Sequence, residues 1–233
     1  MIPRKIHQCW FGPNPVPGTH RAWMEGVRSL MPDFSYRLWT NDDLPGNRFV
    51  RECLAWKKYA LLSDWMRLEI LCREGGFYLD TDVEVFKSLA PLLDNGCVVG
   101  LDNDFLENKP VSNSIVGAEP GHPYVRETLE RFVRGLNRNL KPPYGVKVGN
   151  WVMFEKGFTL CRAQRLGDIR ILSRDELFRD FTCHHLEGSW HSKKDFRANL
   201  RSIGYRSTRA WVLARGLLSG RTMYPGEPRW KTT

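Results

Sequence analysis

The chain has 233 residues, 42% of them hydrophobic and 26% charged, a composition that suits one globular domain or one domain with an appendage. Nine Trp, twelve Phe and seven Tyr exclude disorder throughout, and no apolar run approaches the ~18 residues of a membrane-spanning helix. The formal net charge is +9, yet residues 193–233 hold ten Lys and Arg against Asp195 and Glu227 and so carry +8 of it. A near-neutral body with a basic appendage is expected to bind no nucleic acid.

The six cysteines are scattered with no CxxC pair, which reads as small buried hydrophobes in a reducing compartment. Met1-Ile2-Pro3-Arg4-Lys5 lacks the apolar segment of a signal peptide, so a cytoplasmic location is expected, or a chain already trimmed of its targeting sequence.

In chain order, residues 5–11 predict a strand that stops at Gly12-Pro13, and the alternation over 34–39 predicts a second. Residues 57–74 predict a helix with an apolar stripe of Leu61, Trp65, Leu68 and Cys72, ended by Gly75-Gly76. Phe77-Tyr78-Leu79 follows as a buried strand, and residues 96–101 are another such run. Residues 123–136 predict a helix opened by Pro123, with Val125, Leu129, Phe132 and Leu136 inward. Residues 169–172 and 181–185 are late strands. Strands alternating with helices predict an α/β domain with a largely parallel sheet, whose ligands bind beyond the carboxyl ends of the strands.

In the tail, Phe196, Leu200 and Ile203, then Ala210, Leu213 and Leu217, have helical spacing among arginines. This fits a basic amphipathic helix on an anionic membrane surface, or a helix docked on the domain. The expected division is residues 1–192 and residues 193–233.

The segment most telling of chemistry runs from Gly75 to Phe86. An apolar strand enters Asp80-Thr81-Asp82-Val83-Glu84, whose three acids fall at alternate positions, on one side of an extended chain. Crowded carboxylates repel and raise one another's pKa, and a divalent cation relieves this. Magnesium and manganese take oxygen ligands and commonly hold substrate phosphates as well, so Asp80 and Asp82 read as a metal–diphosphate site. On the preceding helix, Asp64 and Arg67 share a face, as an exposed ion pair or as a carboxylate and a guanidinium aimed at one ligand. Late in the body, Cys183-His184-His185 places adjacent histidines on a strand, where only one can face the metal.

Together these motifs resemble glycosyltransferase family 32, the sugar-binding region containing a DXD motif. They are Ile6-His7-Gln8-Cys9-Trp10-Phe11-Gly12, Ser63-Asp64-Trp65-Met66-Arg67 with Gly75 to Asp82, and His184 to Trp190. Asn113 to Ala118 and Gly121-His122-Pro123 resemble the family's middle segment.

The resemblance implies a GT-A fold, with a Rossmann-like mixed, largely parallel sheet flanked by helices. It also implies a nucleotide-sugar donor, a divalent metal (manganese or magnesium) and transfer with retention of anomeric configuration. By the same resemblance Trp10 stacks on the donor base. Asp64 and Arg67 contact ribose or donor sugar and neighbouring groups, and Tyr78 lines the diphosphate. Asp80, Asp82 and His185 hold the metal, Asn113 contacts the sugar, and Ser189 and Trp190 close over the diphosphate. The expected reaction passes a hexose, from a UDP-sugar in preference, to a glycan or polyprenol-linked acceptor in surface polysaccharide synthesis, with the enzyme peripheral on the inner face of the membrane. The alternatives are a protein-modifying transferase like the clostridial glucosylating toxins, or a non-catalytic basic nucleic-acid-binding protein. Val148-Gly149-Asn150-Trp151 departs from the family's Thr-Gly-Pro segment, which leaves its acceptor and sugar contacts open.

Overall fold

The computed structural model describes residues 1–102, 111–137, 145–159 and 162–185, all within the unit Met1–His185. Ser189, Trp190 and the basic appendage lie outside the described residues.

Nine strands and five α-helices are described. The strands are β1 (Lys5–Cys9), β2 (Ser35–Trp39), β3 (Gly76–Leu79), β4 (Val83–Val85), β5 (Cys97–Leu101), β6 (Val111–Ala118), β7 (Gln164–Leu166), β8 (Ile169–Leu172) and β9 (Thr182–His184). The helices are α1 (Gly18–Leu30), α2 (Arg48–Ala55), α3 (Tyr59–Glu74), α4 (Pro123–Asn137) and α5 (Gly145–Glu155), with a π-helical turn at Glu176–Phe181.

Seven strands form one sheet in the order β2-β1-β3-β6-β5-β8-β7. The pairs β1–β2, β1–β3 and β5–β8 are parallel, whereas β6 is antiparallel to β3 and β5, and β7 to β8. Five of the seven strands therefore run one way, giving the expected mixed, largely parallel sheet. A separate antiparallel ribbon joins β4 to β9.

Helices α3, α4 and α5 pack together and against the sheet, while α1 packs on β4 and the π-helical turn on β5. Helix α3 buries far more than the predicted stripe, with Leu62, Asp64, Trp65, Met66, Arg67, Leu68, Ile70 and Leu71 all inside. It starts two residues later than predicted, because Lys57 takes a left-handed φ of 55° at the end of α2.

The step from α3 into β3 needs both glycines. Gly75 and Gly76 have φ of 62° and 96°. A Cβ on Gly75 would lie 2.6 Å from Pro120 Cδ, and one on Gly76 2.8 Å from both Lys5 Cβ and its carbonyl oxygen. His7 braces this corner. Its Nδ1 accepts from Trp39 Nε1 at 3.2 Å, so its Nε2 carries the proton and donates to the Gly75 carbonyl at 3.0 Å. Burial holds the His7 pKa below 6.5. The corner delivers β3 between β1 and β6, with Phe77, Tyr78 and Leu79 buried, and its carboxyl end becomes the floor of the acidic site.

Candidate metal and donor site

The chain leaves β3 at Asp80 and turns at once. Asp80 N–H donates to the Ser114 carbonyl at 2.8 Å, and Val83 N–H donates back to the Asp80 carbonyl at 3.1 Å. The expected extended run of Asp80, Asp82 and Glu84 is therefore replaced by a tight turn, which carries the chain from the main sheet into the β4–β9 ribbon. Gln8 of β1 braces the turn from below, its Nε2 donating to the Asp80 carbonyl at 3.2 Å and its Oε1 accepting from Tyr36 Oη at 2.7 Å.

Asp80 is held by a buried cation. Arg67 Nη2 lies 3.1 Å from Asp80 Oδ1 and 3.1 Å from Asp64 Oδ1. The remaining Arg67 donors go to main-chain carbonyls, Nη1 to Asn113 at 2.6 Å and Nε to Ser63 at 3.3 Å. Tyr78 Oη also donates to Asp80 Oδ1, at 2.9 Å, and the guanidinium stacks over the Tyr78 ring. The reading of Asp64 and Arg67 as an exposed pair is excluded, since they are 8% and 5% exposed. Arg67 is a strut within the site wall, and Asn113 meets it through its carbonyl. Burial works against the Arg67 charge, but Asp80, Tyr78 and Asp64 raise its pKa.

Asp82 is buried on the ribbon side. Its carbonyl accepts from His185 N–H at 3.0 Å, which continues the β4–β9 pairing by one residue. That register turns His184 toward the acids, with Nε2 3.3 Å from Asp82 Oδ1. One ligand atom each from Asp80, Asp82 and His184 lie within 4.8 Å of one another.

The placement expected for His185 is thereby corrected. Its Nε2 meets Glu84 Oε2 at 2.9 Å, and its ring stacks on Trp23 with centroids 4.1 Å apart and planes 7° from parallel. Adjacent strand residues face opposite ways, so bringing His184 to the acids sends His185 outward.

The electrostatics are those of carboxylates short of positive charge. Burial pushes Asp80 up to about 6 against the lowering effect of Arg67, and the Asp82 charge adds to the rise. Burial would lower His184, yet Asp82, Asp80 and Asp102 leave its pKa raised above 6.5. Two carboxylates and an imidazole, crowded and partly buried, match the donor set of a manganese- or magnesium-type cation, so the residues fit the metal that the sequence implies.

Trp10 lies just past β1, half-buried, with Nε1 donating to the Asn14 carbonyl at 2.7 Å and its ring edge-on to His20. Sequence reasoning missed four residues at this end of the sheet: Gln8, His20, His184 as the histidine facing the acids, and Asp102. Asp102 follows β5, and its carboxyl interacts with Ser112 and His184. Strand parity leaves His184 and His185 as alternatives without choosing between them. Nothing in the sequence pattern marks the other three.

Residues 17–99 match the family described as glycosyltransferase sugar-binding region containing DXD motif. The chain is 33% identical to an uncharacterized glycosyltransferase, L373, of Acanthamoeba polyphaga mimivirus, over 53% of this chain and 52% of that protein. It is 29% identical to inositol phosphoceramide mannosyltransferase 3 of Schizosaccharomyces pombe, over 57% of this chain and 38% of the relative. The chain thus spans about half the length, or less, of these curated relatives. Among solved structures, the PaToxG glycosyltransferase superposes with a TM-score of 0.55 at 18% identity, covering 67% of this chain and 70% of that one, a likeness of fold. Residues 17–99 thus resemble the glycosyltransferase sugar-binding region, with Asp80-Thr81-Asp82 as the DXD-type segment within the match, and the fold around them is of the GT-A kind.

Proposed function

We propose that this chain is a divalent-metal-dependent glycosyltransferase that passes a hexose from a nucleotide-diphosphate sugar to an acceptor hydroxyl with retention of anomeric configuration. The observation that carries the reading is the convergence of Asp80, Asp82 and His184 ligand atoms within 4.8 Å at the carboxyl end of β3. A cation held by these three residues would act as a Lewis acid on the diphosphate leaving group.

The protein's own part is positioning. Arg67 and Tyr78 fix the Asp80 carboxylate, Gln8 fixes its carbonyl, and the ribbon register fixes Asp82 and His184. Trp10 serves the donor base, and Asp64 and Asn113 border the ribose and sugar. In the reaction the bond from anomeric carbon to phosphate oxygen breaks and a bond to the acceptor oxygen forms on the same face. The departing phosphate oxygen takes the acceptor proton.

The relatives' printed names, mannosyltransferases for inositol phosphoceramide, support a mannosyl donor and a membrane-lipid acceptor. The preference for a uridine nucleotide rests on sequence character alone, and the same donor screen decides it. No described helix is long and apolar enough to cross a membrane. A peripheral location, through the basic residues 193–233, completes the proposal.

The test is a hydrolysis screen over uridine- and guanosine-diphosphate sugars with manganese, repeated with EDTA and with Asp82→Ala. One donor should be cleaved, and chelation or D82A should lower the rate by about 10²–10⁴ while the circular dichroism spectrum is kept. Full turnover in EDTA refutes the metal reading.

A further inference from the structure

The middle residue of Asp80-Thr81-Asp82 points away from the acids and into helix α1. Thr81 Oγ1 lies 3.0 Å from Nδ1 of His20, and both residues are buried, at 7% and 2% exposure. The imidazole is confined by two indoles. Trp10 meets it edge-on with centroids 5.4 Å apart, and Trp23 lies tilted at 5.4 Å. Trp23 in turn stacks on His185, the residue whose N–H closes on the Asp82 carbonyl. Helix α1 therefore grips the metal-binding turn twice, through His20 on Thr81 and through Trp23 on His185.

A tight turn bearing two like charges has a reason to splay, since separation relieves their repulsion. Asp80 has Arg67 and Tyr78 to hold its carboxylate. The anchor between the two acids is the hydroxyl of Thr81, and the partner that the structure gives this hydroxyl is His20.

We propose that His20 is a positioning residue for the metal-binding turn, holding Asp80 and Asp82 at metal-ready spacing before any cation arrives. This rests on the proposed function in so far as the turn binds a divalent cation. It adds that the affinity for that cation is set in part from α1, by a side chain that touches neither metal nor substrate. Preorganisation of this kind raises affinity because the ordering cost is met during folding and not on binding.

The experiment measures manganese binding to the full chain by titration calorimetry without nucleotide, alongside metal-free thermal unfolding. The variants are His20→Leu, His20→Asn and Thr81→Val. Asn places an amide atom where Nδ1 stands and can keep the bond to Thr81, whereas Val keeps the Thr shape without the hydroxyl. Manganese affinity should fall about 3- to 10-fold in H20L and T81V, the effect of one lost hydrogen bond, and H20N should stay within about twofold of the parent. The double variant H20L/T81V should lose no more than either single one.

Parent-like affinity in T81V overturns the proposal and leaves the metal site standing. Failure of the parent to bind manganese at all overturns the proposed function as well. If H20L unfolds at the temperature of the measurement, T81V decides the matter, because it leaves His20 in place between Trp10 and Trp23.

Discussion

Replacing Arg67 by Met tests whether the wall of the acidic site is held together by one buried cation. Arg67 Nη2 stands 3.1 Å from a carboxylate oxygen of Asp64 and 3.1 Å from one of Asp80. At an effective dielectric constant of about 20, each contact is worth roughly 5 kcal/mol before desolvation is charged against it. Met removes both contacts, leaves two carboxylates facing each other in a buried wall, and strips the Asn113 and Ser63 carbonyls of their donor. Breaking a buried pair from one side costs about 3–5 kcal/mol, a large share of a total stability of about 5–15 kcal/mol.

Urea unfolding followed by tryptophan fluorescence, in EDTA, reads this as a fall in midpoint of about 1–2 M for a slope near 2–3 kcal/mol per M. The companion variant R67M/D80N should regain more than about 1 kcal/mol, because it removes one stranded charge along with the cation. R67M within about 1 kcal/mol of the parent would show that Arg67 is not the countercharge of this wall. So would a D80N change that makes no difference in the R67M background.

Three further outcomes follow from the same geometry. Gly76→Ala puts a Cβ at φ of 96° and 2.8 Å from Lys5, and Gly117→Ala puts one 2.3 Å from Phe77 Cε1. Each should cost about 1–3 kcal/mol and lower the melting temperature by several degrees, as calorimetry would read it. Because burial holds folded His7 below 6.5, its contribution to stability is complete above pH 6.5 and is lost as pH falls through the folded value. The difference in urea midpoint between pH 7.5 and pH 5.5 should therefore be larger for the parent than for His7→Gln, and equal differences would remove His7 from the account. Finally, His184→Ala should weaken manganese binding on the order of tenfold or more, while His185→Ala should do so far less, as calorimetry can separate. The reverse order would show that the ribbon presents the other face to the acids.

What the sequence made visible is what strong local signals encode. Helix α3, the double-glycine corner, the buried β3 and the four residues of β8 follow from apolar runs cut by glycine, and each stands close to its predicted place. Helix α1 escaped because its inward face is His20, Met24 and Val27, a stripe in which one position of three is polar. Helix α5 escaped because it carries Gly145 and Gly149, and glycine weakens a helix signal. Gly149 is in fact a packing glycine, where a Cβ would stand 2.8 Å from Tyr124 Oη. After Val111, strand β6 continues through Ser112, Asn113 and Ser114, a polar run that carries no strand signal but includes two buried serines that bond to each other at 2.8 Å. These polar residues lie at the end of the interior strand β6 where the site is built, and Ser114 there accepts the Asp80 N–H.

The acidic pair was legible because a DXD motif advertises its carboxylates, and its countercharge was not, because a salt bridge across elements leaves no spacing to read. Asp64 and Arg67 are three residues apart on α3, and that spacing predicts their contact with each other. It is silent on Asp80, thirteen positions beyond Arg67 and reached only because Gly75 and Gly76 turn β3 back beside the helix. The histidine problem is of the same kind. Period-2 alternation says that one of His184 and His185 faces the acids but not which one. The choice is made by register, Val83 opposite His184, and by the His185 N–H locking onto the Asp82 carbonyl. A slip of one residue would bring His185 to the acids and send His184 outward. The identity of the third ligand is thus a property of the β4–β9 pairing, and any change that weakens that pairing should lower metal affinity without touching a ligand.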